Sequence, residues 1–365
     1  MTEILVQRQV LSLPEIAQIW QDIEHESTSF FLSWSWIGTW LLTLSQPLHV
    51  FVFYRTGNLQ NPIGICIAGE ISKSGFGIGY KQLYLNQSGK QPLDQAWIEY
   101  NDILANEQDI QACRNAWINH CFIHDKIDCV IINTSKIEAR DWSDNGLFNT
   151  EQEIVQGFAK HLTPEFADLH SLLGSFSKNR RAQIKRALRY IESEYGNIVI
   201  TQHTGIDALE HLHPLGELHK SRWGESDFGS GFDNPKFVEF HQQLLLLQHP
   251  KQDIHLLEFT AGKINLGYLY NFKSNGKVYF YLSGVNYVSA DNKCKVGLVM
   301  HSLAMQYYAR LNCNSYDFLG GESPYKTSLS DHQYRFYSTH LSRNSMTYQI
   351  KRSLHKVQTL LTKPA

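Results

Sequence analysis

Apolar residues recur every three or four positions in LSLPEIAQIWQDIEHES, where Ile16, Ile19, Trp20 and Ile23 share one face behind the Ser12/Pro14 start signal. That spacing predicts a helix. FFLSWSWIGTWLLTL follows with large apolar side chains at Phe30, Trp34, Ile37 and Leu41. HVFVFYR and IGICIAGEI then read as two β-rich runs on either side of the turn-forming TGNLQNP. QLYLN and DCVIINT predict further strands, with a helix around Ala112 to Cys121. The first half is therefore mixed α and β.

From about Leu169 the order is clearer. SKNRRAQIKRALRYIESEYG places Ile184, Leu188, Ile191 and Tyr195 on one helical face and stops at Gly196. NIVITQH is a strand, followed by helices from about Asp207 to Lys220 and Pro235 to Leu247, joined by SRWGESDFGSGFDN. DIHLLEFTA, KINLGYLYNF and KVYFYLSGV predict three antiparallel strands, because AGK and SNGK between them are hairpin signals. A helix from about Lys295 to Leu311, the strand SYDFL, the strand YRFYSTHLS and a last helix complete the chain.

Composition changes this picture in three ways. The 365 residues are 42% hydrophobic and 19% charged, enough apolar material for two folded domains. No apolar run approaches about 18 residues, and MTEILVQRQV is not a signal peptide, so a cytoplasmic protein without membrane insertion is expected. Cys66, Cys113, Cys121, Cys129, Cys294 and Cys313 are scattered without a CxxC pair, which suits buried thiols in a reducing compartment. The net charge of −2 also hides an asymmetry. Lys and Arg number 10 against 19 Asp and Glu through Glu165, and 23 against 16 beyond it, so the second half suits an anionic ligand. The excess is too sparse for DNA and fits a small phosphorylated molecule.

The element order, with the words FLSWSWIGTW, FSKNRRAQIKRALRYIE, LHKSRWGE and YDFLGGESPYK, resembles the GNAT acyltransferase superfamily. Within it the sequence is most similar to CelD-type proteins linked to cellulose and exopolysaccharide synthesis, with Fem-type aminoacyltransferases as relatives. The resemblance implies an α/β fold with mixed (α+β) sheet, built as two tandem GNAT-like domains of which the second is more complete. It places an N-terminal domain at 1–165, an acyltransferase domain at 166–345 and a C-terminal helix at 346–365.

The same resemblance implies an acyl-CoA donor, acetyl-CoA foremost, with its pyrophosphate held at a helix N-terminus. Here the segment is Lys293, Cys294, Lys295, Val296, Gly297 and Leu298, followed by Val299 where the superfamily has a second small residue. Lys293, Lys295, Val296, Gly297 and Leu298 are the donor-binding candidates. The alternative is an ordinary capped helix with exposed lysines. Amide formation from a thioester needs a base for the attacking amine and an acid for the departing thiolate. Asp317 on the apolar strand, Glu322 beyond the Gly320–Gly321 pair and Tyr325 are the catalytic candidates, Asp317 as a carboxylate of raised pKa and Tyr325 as acid. Asp317 could equally be a structural acid held by backbone donors, and Lys326 could either bind substrate or close a salt bridge with Glu322 or Asp317.

His219, Arg222 and Trp223, beside Glu225, suit a saccharide acceptor whose ring stacks on the indole, and Tyr281 and Ser283 are weaker acceptor candidates. Loop tryptophans also plug cores. Lys178, Arg180, Arg181, Lys185, Arg186 and Arg189 could meet phosphate or tRNA, or form a solvated helix face. A non-catalytic binding protein of the same fold is a third reading, kept open by the irregular segment 293–299. Trp34, Trp36 and Trp40 read as core and Gly75 to Gly79 as a loop. His211 and His213 lack Cys or carboxylate ligands at metal-site spacing, so no metal is expected.

Overall fold

In the computed structural model the described residues are all but 1–2, 26–27, 46–47, 77, 143–147, 225–228, 248–252, 288–293, 345 and 363–365. They divide into two compact units, 1–155 with 335–365, and 156–334. The expected cut at 165/166 thus falls ten residues earlier, inside a strand, and the C-terminal segment belongs with the first unit rather than standing apart.

The first unit contains β1 (Ile4–Gln9), α1 (Leu13–Ile23), α2 (Trp34–Leu42), β2 (His49–Arg55), β3 (Gly64–Gly75), β4 (Ile78–Leu85), α3 (Gln91–Asp94), β5 (Leu104–Ala105), α4 (Ile110–Asn119), β6 (Cys129–Ser135), α5 (Ala139–Trp142) and the start of β7 (Phe148–His161). Strands β1 to β4 pair antiparallel in chain order, and β4 then pairs parallel with β6. Phe51, Phe53, Cys66, Leu83, Trp117, Val130 and Ile132 form its core. Trp36 and Trp40 are buried as expected, whereas Trp34 is half-buried.

The remainder of β7 opens the second unit, which continues with α6 (Leu169–Gly174), α7 (Lys178–Tyr195), β8 (Ile198–His203), α8 (Gly205–Trp223), α9 (Pro235–Leu247), β9 (Ile254–Ala261), β10 (Ile264–Ser274), β11 (Lys277–Val285), α10 (Val296–Arg310), β12 (Ser315–Gly320), α11 (Pro324–Leu329) and the start of β13 (His332–Arg343). Its strand order is β7-β12-β11-β10-β9-β8, antiparallel except for β11 with β12. The SNGK hairpin forms as its letters predict: Asn275 and Gly276 take left-handed φ of 52° and 75°, and Ser274 faces Lys277 across the turn. Helix α7 begins at Ser177, whose hydroxyl accepts from the Arg180 amide, and its Ile184, Leu188 and Ile191 are buried.

From Arg335 onward β13 pairs with β6 in the first unit, and α12 (Met346–Thr362) packs on β3 and β4. A Cβ on Gly75 would lie 2.4 Å from the His355 backbone nitrogen, so the helix reaches that strand end only because the residue is glycine. Among the described residues no helix is long and apolar enough to cross a membrane.

Two features of the sheets position the site. Strands β11 and β12 pair only from Lys277–Ser315 to Tyr279–Asp317 and then part, although β11 runs on to Val285 and β12 to Gly320. Tyr281 has no opposite number on β10, where Tyr270 faces Leu282 and Asn271 faces Phe280, so β11 carries a bulge at the point of parting. The first unit has a parallel pair of the same kind, since β4 and β6 pair only over Gln82–Cys129 to Tyr84–Ile131. There the gap is closed by the protein itself. Fully buried Asn101 donates its side-chain amide to the Leu85 carbonyl (2.9 Å) and its backbone amide to the Thr134 carbonyl (3.2 Å).

Candidate active site

Where β11 leaves β12, a cavity of about 320 Å3 opens at the N-terminus of α10. Its walls are Ser283 and Val285 of β11, Tyr287, Cys294 to Leu298, His301 of α10, Arg222 of α8 and Tyr325 of α11. Seven residues singled out from sequence therefore meet: Arg222, Ser283, Lys295, Val296, Gly297, Leu298 and Tyr325. Lys293 and Glu225 lie outside the described residues.

Helix α10 starts open. Lys295 at its N-cap makes no side-chain cap bond, its first turn holds no acid, and the first amide engaged within the helix is that of Leu298, to the Lys295 carbonyl at 3.0 Å. The amides of Val296 and Gly297 thus lead a 15-residue helix at the cavity wall, where partial positive charge and exposed Lys295 favour an anion. Packing does not demand a glycine at 297: the nearest atom to an added Cβ would be Val285 Cγ2 at 3.9 Å.

His301, absent from the sequence-based candidates, sits one turn into α10 and is 4% exposed. Its Nδ1 is 3.1 Å from the Tyr316 hydroxyl, leaving Nε2 as the nitrogen open to proton transfer. Burial first, then the charges of Lys326 and Arg222, push its pKa down to about 3, so the ring is neutral. Tyr325 lies parallel to it at 5.1 Å between centroids. Burial, with nearby Tyr287 adding and Arg222 opposing, pushes the Tyr325 pKa up, which keeps the phenol a proton donor. Together they offer an acceptor and a donor of protons on one wall.

Arg222 and Trp223 belong to a helix rather than a loop, since α8 continues past the expected end at Lys220 to Trp223. The Arg222 guanidinium lies over Trp223 (4.9 Å) and Tyr287 (5.5 Å) and donates to the Tyr287 hydroxyl at 2.7 Å. The cavity is thus flanked by an aromatic and cationic wall. Gly284 of β11 permits this approach, because a Cβ there would meet the Leu215 carbonyl of α8 at 2.7 Å.

The other candidates lie elsewhere. Asp317 is fully buried and does not line the cavity. Tyr316 and Phe318 point to the His301 side of β12, and Asp317 points to the other, where Lys277 Nζ sits 2.8 Å from Oδ2. Its Oδ1 accepts from the Leu319 amide at 2.8 Å and from the Tyr334 hydroxyl. The expected base is placed as a structural acid, held by an amine and a phenol as well as the backbone. Glu322 is exposed and outside the cavity walls. Lys326 donates to the Gly320 carbonyl at 2.5 Å and ties the turn, with Gly321 at φ 93° where only glycine is at ease. His219 turns to Ser230, with Nδ1 2.8 Å from its hydroxyl. Burial and then Arg222 push the His219 pKa down to about 4. Tyr281, at the bulge, stacks on Phe237 and lies 3.3 Å from His241 Nε2. On α7, Lys178, Lys185, Arg186 and Arg189 are exposed, while Arg180 and Arg181 are half-buried.

Residues 178–327 match the sequence model of a family described as an acetyltransferase (GNAT) domain. No curated protein sequence matches the chain. Among solved structures, FemX superposes with a TM-score of 0.58 at 12% identity over 96% of this chain and 100% of its own. The C-terminal domain of a putative lysylphosphatidylglycerol synthetase from Agrobacterium fabrum gives 0.55 at 8% identity, over 94% and 96%. A tandem GNAT protein from the clavulanic acid biosynthesis pathway gives 0.50 at 10% identity, over 94% and 99%. These similarities show the mixed α/β fold, which the chain shares with a tandem GNAT protein, and residues 178–327 of the second unit match the GNAT acetyltransferase domain.

Proposed function

We propose that the protein is an acyl-CoA-dependent N-acyltransferase whose donor binds at the α10 N-terminus. The observation that carries this reading is the parting of β11 and β12 above a cavity walled by the first residues of a 15-residue helix, whose N-cap residue Lys295 makes no side-chain cap bond among the described residues. The Val296 and Gly297 amides and Lys295 hold the pyrophosphate, and the thioester lies toward Ser283 and Tyr325. The acceptor amine attacks the thioester carbonyl, so that a C–N bond forms and the C–S bond breaks. His301 Nε2 takes the amine proton, and the Tyr325 hydroxyl protonates the departing thiolate. The anionic donor offsets the charges of Arg222 and Lys326, which add to burial in holding the His301 pKa down.

The wall of Arg222, Trp223 and Tyr287 suits an acceptor with a hydroxylated ring, in keeping with an amino sugar or polysaccharide precursor as for CelD-type proteins; a small amine metabolite fits the same wall. Aminoacyl-tRNA is the second reading, supported by the fold shared with FemX and by the exposed cations of α7. Calorimetric titration with acetyl-CoA and longer acyl-CoAs tests the first reading. Binding weakened at least tenfold by Lys295→Glu is expected, and no heat with any acyl-CoA would overturn it.

A further inference from the structure

Away from the cavity, two histidines eight residues apart meet a glutamate 55 residues beyond the first where β8 ends. His203 closes β8, His211 lies two turns into α8, and Glu258 projects from β9; one ligand atom from each lies within 4.8 Å of the others. The His203 and His211 rings are stacked 3.6 Å apart, and His203 Nε2 is 3.1 Å from Glu258 Oε2.

We propose that His203, His211 and Glu258 bind a divalent first-row transition ion, zinc in the first instance. Two imidazoles and one carboxylate are a donor set that zinc accepts with a fourth position left for water. The surroundings are those that orient metal ligands. Asp207 Oδ2 sits 2.6 Å from His203 Nδ1, so the carboxylate takes that N–H and directs Nε2 at the metal position. The far oxygen of Glu258 accepts from Asn265 (2.6 Å) and Tyr268 (3.2 Å), which leaves Oε2 facing the imidazoles. Donors on one tetrahedral zinc stand about 3.3 Å apart, so the set closes by roughly 1.5 Å at most. Half-buried His211 can make that movement by rotating its own side chain. The Nε2 lone pair of His203 forms the bond to the ion, while Nδ1 keeps its hydrogen bond to Asp207. The ion ties the edge strand β8 to β9 and to the start of α8, the helix whose other end holds Arg222.

The test uses the whole protein, stripped with a chelator and titrated with Zn2+ and with Co2+ as a spectroscopic probe. One equivalent per chain is expected, with the visible bands of tetrahedral Co2+ and a rise in Tm. His211→Ala, at a half-buried helix position, should fold as judged by circular dichroism and lose at least 100-fold in affinity. Exposed Asp207→Asn should lose about 10- to 100-fold. Absence of the Co2+ bands, or equal affinity in the wild type and His211→Ala, would overturn the proposal. Neither readout depends on acyl transfer.

Discussion

The rings of His301 and Tyr325 lie parallel, 12° from coplanar with centroids 5.1 Å apart, although one belongs to α10 and the other to α11 beyond β12. Burial acts on them in opposite senses: the imidazole stays unprotonated and the phenol stays protonated. If they serve as base and acid, each should matter to turnover more than to donor binding. Tyr325→Phe and His301→Gln are expected to lower kcat by about 100-fold or more, with acyl-CoA affinity changed less than threefold. Release of free thiol from acyl-CoA gives the rate and calorimetry the affinity. A Tyr325→Phe enzyme at full kcat would remove the phenol from the chemistry.

Acid should destabilise the second unit through its neutral histidines. Burial is the first cause that pushes His241 and His301 down to about 3 and His219 to about 4. Each folded-state value is depressed, so the unfolded chain binds more protons once pH falls below the ordinary value of about 6.5. The stability is present above that pH and is lost as pH falls toward the folded values. Each histidine contributes a slope of roughly 1.4 kcal/mol per pH unit between about pH 6 and 4.5. Urea unfolding of wild type and His241→Gln across pH 7 to 4.5 should give curves that converge as pH drops. Curves that stay parallel would show that His241 is not among the groups that titrate.

Local chemistry was legible in the letters, and the parts brought from a distance were not. Asn275–Gly276 announced its hairpin because the turn type is set by two residues. The open start of α10 was legible for the same reason. His301 was missed because VGLVMHSLAM gives it no charged neighbours; its importance comes from Tyr316 and Tyr325, on elements that follow later in the chain. Strand alternation puts Asp317 opposite Tyr316 and Phe318, yet alternation cannot say on which face a cavity lies, and Lys277, its partner, is forty residues away on another strand. Glu258 likewise stands 55 residues from His203, so spacing around His211 could not reveal it. The return of the C-terminal helix to the first unit has no local signal, because it depends on Gly75 meeting the backbone at His355.

The buried pair of Asp317 and Lys277 separates structural from chemical roles within YDFLGGESPYK. Asp317→Asn removes the charge and leaves the Lys277 ammonium, about a quarter exposed, without its counterion. Breaking a buried pair at one end costs about 3 kcal/mol or more, so the midpoint of urea unfolding should drop by that equivalent. Acyl transfer by the folded fraction should stay within about threefold of wild type, since the carboxylate does not line the cavity. A kcat collapse without loss of stability would reverse this assignment and restore Asp317 as a base.

Gly297 offers the converse separation. It lies in the first turn of α10, where an added methyl has open space and its nearest neighbour is Val285 at 3.9 Å. Replacing a helical glycine with alanine where nothing clashes gains about 0.5–1 kcal/mol, because the unfolded chain loses freedom. Gly297→Ala should therefore raise Tm. The same methyl stands where the pyrophosphate must approach the Val296 and Gly297 amides, so acyl-CoA affinity should fall at least tenfold. Thermal melting and calorimetry on one preparation measure both. A variant that is more stable yet binds acyl-CoA as well as wild type would show that the donor does not use these amides, and the α10 N-terminus would lose its claim as the donor site.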